Sequence, residues 1–453
     1  MSRRWGRSRW SALSVVGVVA ALTSALVLTG CTQEAAPPIP SQVSATLPSD
    51  ATAAIKKAVM DAMTLDNASG AIVGVWAPWA GEYTAGIGTT TEKGTSPVTP
   101  NMTWRVGSVT KSMTCTVLLS LVQRGEVGLD DTVSQYLPRI VGIDGLTLGD
   151  LCQNTSGLGD YSSALGPQFV DNPLRPYVPM ELLAEGMGEP RSGTPGQGWS
   201  YSNAGFILLG MALQAATGKD WPTLYNDYVF APLGMSSSSL PSGTTIPGST
   251  VHGYATSLDA ITAAPQCGTV MDDTQQSTTG SWTSGGVVSS LNDLKTFGQA
   301  FATASLLRGK AKKDAWDTVG LGTDVAGWQR YGMGGLQLGP MRGHSGSVPG
   351  FLTSVLSDPT TGLTVVVMLN NSTSGAGYVQ SLAMQLAAIA STFKPAQGKT
   401  APRMSLPWTA SSAATTLNRL AVCRPKDAGP APTAAPAPAS TSGSGVYEPI
   451  PAN

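Results

Sequence analysis

Thr103-Trp104-Arg105-Val106-Gly107-Ser108-Val109-Thr110-Lys111 reads as a short strand that ends at a glycine and turns directly into a helix. From Ser108 to Gln123, apolar side chains recur at helical spacing: Val109, Met113, Val117, Leu118, Leu121 and Val122. That periodicity predicts an amphipathic helix, with Gly125 as its stop. Ser108 then stands at a helix N-terminus, where free N–H groups and the dipole favour developing negative charge. Lys111 lies one turn later on the same face. An amine buried there loses the solvation of its charge, so its pKa falls and it can take the serine proton. By itself a Ser-x-x-Lys string arises by chance on the order of once in such a chain, so its meaning depends on what accompanies it.

Two later segments accompany it. Tyr201-Ser202-Asn203 lies between the turn-forming Pro195-Gly196-Gln197-Gly198 and an apolar helical run, Ala204 to Leu213. A tyrosine between a turn and a helix can point its hydroxyl into a cleft, although a core tyrosine with a satisfied hydroxyl is the commoner fate. His344-Ser345-Gly346 follows Met341-Arg342-Gly343 and precedes two apolar strands, Phe351 to Leu356 and Leu363 to Asn370. Gly346 would let a ligand backbone approach closely.

In this order and at this spacing the three motifs resemble those of the serine β-lactamase and penicillin-binding superfamily, in its class C β-lactamase and DD-carboxypeptidase branch. Further segments match in order: Arg105-Val106-Gly107, Asn154-Thr155-Ser156-Gly157-Leu158, Pro232-Leu233-Gly234-Met235, His252-Gly253-Tyr254 and Ser284-Gly285-Gly286-Val287-Val288-Ser289. The resemblance implies covalent acyl transfer. Ser108 is the nucleophile, Lys111 its base, and Tyr201 the relay of a proton to the leaving group. The backbone N–H groups of Ser108 and Ser347 hold the oxyanion. Asn203 is expected to orient the substrate amide, and Trp282 to wall the cleft or fill the core. His344, Ser345 and Gly346 are expected to bind substrate or tune Tyr201. His344 stands where β-lactamases of this branch usually carry Lys, which resembles the carboxypeptidase and esterase members instead. No basic residue follows Tyr331-Gly332-Met333-Gly334-Gly335, so Arg342, on the strand face of His344, is the candidate anchor for a substrate carboxylate. The expected activity is DD-carboxypeptidase-type hydrolysis of D-Ala-D-Ala cell-wall peptides, with β-lactams as covalent ligands. An esterase or β-lactamase, and a non-catalytic penicillin-recognising lipoprotein, are the alternatives. An α/β-hydrolase is excluded, because no histidine follows Ser345.

Composition agrees. The 453 residues are 42% hydrophobic and 12% charged with a net charge of −1, so a large core is possible and no nucleic-acid partner is expected. Four arginines before an apolar run from Ala12 to Leu28 predict a leader, and Leu28-Thr29-Gly30-Cys31 resembles a lipobox. The expected plan is a lipoprotein signal peptide over 1–30 and a tether over 31–49 lipidated at Cys31. A hydrolase domain over 50–400, an extension over 401–425 and a disordered Pro/Ala-rich tail over 426–453 follow. The protein would then be exported and lipid-anchored to the outer face of the bacterial cell membrane. Cys115, Cys152, Cys267 and Cys423 allow three pairings that sequence cannot choose among, and Cys115 is expected to be a buried thiol. No C-x-x-C pair and only two histidines argue against a metal site, and no cofactor is expected. Ala53 to Leu65 reads as a helix, and Ala71–Trp76 and Gly81–Ile87 as strands. The fold class is therefore α/β (α+β): an antiparallel sheet built from both chain ends and flanked by helices, with a helical region inserted between.

Overall fold

The computed structural model describes residues 40–425; the leader, Cys31 and the 426–453 tail lie outside the described residues. The chain opens with the helix Ser49–Leu65, followed by strands β1 (Gly70–Ala77) and β2 (Gly81–Gly88). Next come β3 (Thr103–Arg105), the nucleophile helix Val109–Arg124, and a helix-rich stretch that includes Asn203–Thr217. Strands β4 (Tyr254–Leu258), β5 (Pro265–Asp272) and β6 (Val288–Ser290) precede the helix Leu291–Thr303. Then follow β7 (Val319–Gly320), β8 (Gln329–Tyr331), β9 (Leu336–Leu338), β10 (Met341–Val348), β11 (Phe351–Ser357) and β12 (Thr364–Leu369). The helices Gly375–Ala390 and Ala410–Leu420 close the described chain.

Eight strands form one sheet in the order β2-β1-β12-β11-β10-β9-β8-β7. β1 pairs with both β2 and β12 in antiparallel register, so early and late segments of the chain are neighbours within one sheet. The central strands are apolar runs because both faces are covered, and side chains alternate between the faces with the two-residue period of a strand. Val73, Val75, Val365 and Val367 pack with Ile55, Tyr378 and Leu382 of the two terminal helices. Ile72, Trp76, Val366 and Met368 face the other way, onto Leu294 and Phe297 and the inserted helical region. This is the mixed α/β architecture expected from the sequence.

Three local expectations are corrected. The nucleophile helix is not amphipathic: every side chain from Val109 to Leu121 is buried, because the sheet and the inserted helices enclose it on all sides. Cys115 is not a thiol; it forms a disulfide with Cys152, and Cys267 pairs with Cys423. The middle of the chain also carries the hairpin β4–β5, whose outer strand is largely exposed and so lacks the apolar alternation that marks a strand in sequence.

Candidate active site

β3 runs antiparallel to β6, pairing Trp104 with Ser289, and the Trp104 indole N–H donates to Thr353 Oγ1 at 2.9 Å. The chain leading into Ser108 is thereby fixed to the main sheet. Gly107 has φ +55°, and a Cβ there would stand 2.9 Å from the Ser347 nitrogen. A Cβ on Gly346 would stand 2.6 Å from the Ser108 nitrogen. Only glycine lets these two backbones approach, and their approach brings the Ser108 and Ser347 backbones side by side, the placement an oxyanion pocket requires. β9 pairs with β10 only at Met341–Gly343, so beyond that point this edge of β10 meets the loop before Ser108, while its other edge stays paired with β11.

Lys111 is fully buried, and burial lowers its pKa to about 7 against a smaller upward pull from Asp160. Its Nζ lies 3.2 Å from Ser108 Oγ, 2.5 Å from Asn203 Oδ1 and 2.8 Å from the Ser284 carbonyl. The last two can only accept. A neutral amine has two N–H bonds and one lone pair; the N–H bonds go to Asn203 and Ser284, and the lone pair is left for the Ser108 hydroxyl. The orientation of Asn203 is itself determined. Its Nδ2 donates to Ser162 Oγ at 2.9 Å and to Asp160 at 3.3 Å, and its backbone N–H donates to Asp160 at 2.6 Å. A carboxylate accepts only, so Oδ1 must point at Lys111. Asn203, expected to orient the substrate, instead uses both ends of its amide within the protein.

The Tyr201 ring lies under Lys111, 4.8 Å from Nζ, and its hydroxyl faces Ser108. Burial, aided by Tyr331, raises its pKa well above 10, while the hydrogen bond with Ser108 opposes the rise. Tyr201 is therefore a phenol, not a phenolate, at neutral pH. His344 is buried beside it, and burial, with Lys111 nearby, lowers its pKa to about 3. Its Nδ1 lies 2.5 Å from the Ser345 carbonyl and must donate, so Nε2 accepts from the Tyr331 hydroxyl at 3.1 Å. His344 is a neutral prop for Tyr201, with ring centroids 6.3 Å apart. Ser345 Oγ is bonded to Ser354 Oγ at 2.9 Å, on the far side of the strand from His344.

Two candidates lie elsewhere. Arg342 donates to the Ala302 carbonyl at 2.9 Å and stacks on Trp316 at 4.6 Å. It does not line the cleft. Trp282 packs edge-on against Trp221 at the edge of the core and is not among the residues that line the cleft. Asp160, Ser162 and the Ser284 carbonyl were not recognised from sequence. Ser284 opens a matched segment and so is marked by position but not by role, whereas Asp160 lies two residues past the segment ending at Leu158 and carries no mark in the sequence. Among the described residues, no cluster of three or more His, Cys, Asp or Glu is arranged to hold a metal ion.

Comparison with known proteins agrees with this geometry. A family model described as Beta-lactamase matches residues 55–390. Penicillin-binding protein 4* of Bacillus subtilis (strain 168) is 27% identical over 290 residues, covering 60% of this chain and 61% of that protein. The D-aminopeptidase of Brucella anthropi is 30% identical over 178 residues, covering 37% of this chain and 33% of the relative. The chain thus spans about three-fifths of the first relative and a third of the second. Among solved structures, a D-stereospecific amidohydrolase from Streptomyces sp. superposes with a TM-score of 0.62 at 26% identity, covering 71% of this chain and 94% of that one. The octameric penicillin-binding protein homologue from Pyrococcus abyssi shares the fold, with a TM-score of 0.63 at 22% identity over 76% of this chain and 78% of its own. With most of its length matched by one family model and Lys111 and Tyr201 gathered around Ser108 at the cleft, the chain belongs to the Beta-lactamase family of serine hydrolases.

Proposed function

We propose that this hydrolase forms an acyl-enzyme on Ser108 from amides or esters of D-configured residues that carry no charge next to the scissile bond. The observation that carries the chemistry is the opposite displacement of two neighbouring pKa values: Lys111 down to about 7 and Tyr201 well above 10. Groups driven apart in this way divide into a base and an acid. Neutral Lys111 takes the proton of Ser108 as Oγ bonds to the substrate carbonyl carbon, and the Ser108 and Ser347 N–H groups receive the oxyanion. As the bond to the leaving group breaks, the Tyr201 phenol gives that group a proton and is refilled from the Lys111 ammonium. Water then attacks the ester by the same route in reverse, releasing the acid and restoring Ser108.

The substrate class rests on charge. Among the described residues that line the cleft, a volume of about 370 Å³, none is Lys, Arg, Asp or Glu. Arg342 is occupied at Ala302, and His344 stays neutral. None of these lining residues offers a cationic anchor for a free C-terminal carboxylate, which a DD-carboxypeptidase must bind, and this favours an amidase or esterase over the expected carboxypeptidase. D-configuration is drawn from what the similar proteins act on. The test compares kcat/KM for an N-acyl-D-alanyl amide, its L enantiomer, the same D unit ending in free D-alanine, and a neutral ester. The D amide and the ester should outrun the other two. Preference for the free carboxylate would restore the carboxypeptidase, and indifference to configuration would remove the D-specific part.

For location, we propose export and lipidation at Cys31. The lipobox-like run and two disulfides, which persist in oxidising compartments, support it. Mass spectrometry of the mature protein should find a diacylated N-terminal Cys31; an intact residue 1–30 segment would refute it.

A further inference from the structure

The cleft does not stop at the catalytic residues. From Ser108 and Ser347 it runs past Val348 and Pro349, under the hairpin β4–β5, to the loop Ser372–Gly377 and to Leu420 and Val422. Its direction follows from the chemistry. The leaving group must face the proton donor Tyr201, which is enclosed on that side by Trp199, Tyr331 and His344. The long arm extends away from them and so receives the acyl part of the substrate.

Its walls favour an apolar occupant. Val170, Ala255, Leu258, Leu420 and Val422 line it, and several of its hydroxyls already have partners. Thr373 Oγ1 bonds Thr256 Oγ1 at 3.0 Å and Asn371 Oδ1 at 2.6 Å, and Ser374 Oγ accepts from the Val422 N–H at 3.1 Å.

Leu420 and Val422 come from a segment outside the span matched by the family, which ends at residue 390. That segment is held in place three times. Val422 bonds to Ser374, the Cys423 carbonyl accepts from Asn67 Nδ2 at 2.7 Å, and Cys423 is joined to Cys267 of β5 across 156 residues. The disulfide links this segment to the hairpin that covers the arm.

We propose that residues 410–423 are a specificity element: they close the far end of the acyl arm, which takes an extended, uncharged apolar acyl group, and the Cys267–Cys423 disulfide holds that wall in place. The proposal rests on the acyl-enzyme reading for the identity of the occupant, but not for the existence of the arm. The full chain is assayed with p-nitrophenyl esters from acetyl to octanoyl. Each added methylene should raise kcat/KM about fourfold until the arm is filled. In Leu420→Trp and Val422→Trp the octanoyl-to-acetyl ratio should fall at least tenfold, and in the double variant Cys267→Ser/Cys423→Ser about threefold. A flat series in the natural protein, or a ratio unmoved by both tryptophans, would overturn the proposal; a ratio unmoved by the cysteine changes would remove the clamp. A calorimetric arm measures octanamide binding to Ser108→Ala and to Ser108→Ala/Leu420→Trp. If no ester acylates Ser108 but octanamide binds and the tryptophan blocks it, the arm stands and the acyl-enzyme reading falls. If octanamide binds both proteins alike or neither, the arm falls.

Discussion

The two ends of the cleft are built on different principles. At the nucleophile end polar groups orient one another in series: Asp160 orients Asn203, Asn203 orients Lys111, and the Lys111 lone pair is left for Ser108. Lys111 and Tyr201 are buried there, and burial displaces their pKa values in opposite directions. At the far end the walls are apolar and come from segments distant in sequence, and the tie between them is a disulfide whose Cys267 is exposed. Chemistry therefore depends on preorganised polar geometry, and acyl preference on packing that can vary without disturbing it.

The comparison is broken most severely at the nucleophile. Ser108→Ala should abolish covalent labelling and lower kcat by at least about 10⁴-fold. Lys111→Ala should slow acylation about 10²- to 10⁴-fold. It would also leave buried Asn203 Oδ1 and the Ser284 carbonyl without their donor, at about 1–3 kcal/mol each. Thermal melting alongside active-site titration separates the two effects. An adduct found on another serine would refute the assignment.

The next largest effect is in pH. The base is the neutral form of Lys111, so acylation should rise with pH, with a midpoint near 7. Two units below it about 1% of the amine is neutral, so the rate falls about a hundredfold. His344, at about 3, stays neutral throughout and adds no step. Asp160 pulls the Lys111 pKa upward, so in Asp160→Asn the midpoint should move to lower pH. An unchanged midpoint would mean that the profile reports some other group.

This relay also marks where sequence stops being readable. Ser108, Lys111 and Tyr201 carry residue types whose spacing has chemical meaning, and the sheet followed from the apolar runs at both chain ends. Asp160 is a single carboxylate after a loop; only the fold shows that it reaches Asn203, 43 residues on. The amphipathic reading of the Val109–Arg124 helix failed because Thr110, Ser112, Thr114 and Thr116 are buried with their hydroxyls bonded inside the protein, and a polar residue satisfied in the core looks, in sequence, like a surface one. The far wall was least legible, since four cysteines permit three pairings and an exposed hairpin has no hydrophobic pattern.

The disulfides sharpen the same contrast. Cys115 and Cys152 are fully buried and Cys267 is exposed, so mild reductant should open Cys267–Cys423 first, as read by alkylation and peptide mapping. Its loss should lower stability by about 2–4 kcal/mol. Equal alkylation of all four cysteines would mean that the nucleophile helix opens as readily as the hairpin.

The smallest expected effect is at Arg342, and it decides between substrate classes. Its guanidinium spans the Ala302 carbonyl and the Trp316 ring, so its role is to join β10 to the end of the helix Leu291–Thr303 and to the segment that carries Trp316. Glutamine retains a donor but not the planar cation, which costs a cation–π contact and weakens one hydrogen bond, about 1–2 kcal/mol together. Thermal melting should report that loss. Turnover should not discriminate: the ratio of kcat/KM for a D-Ala-D-Ala peptide to that for a neutral ester should stay within about twofold, because no substrate carboxylate reaches a guanidinium held at Ala302. A tenfold larger loss on the peptide would show that Arg342 leaves Trp316 to meet the substrate. The uncharged description of the cleft would then fail, and carboxypeptidase activity would return as the better reading.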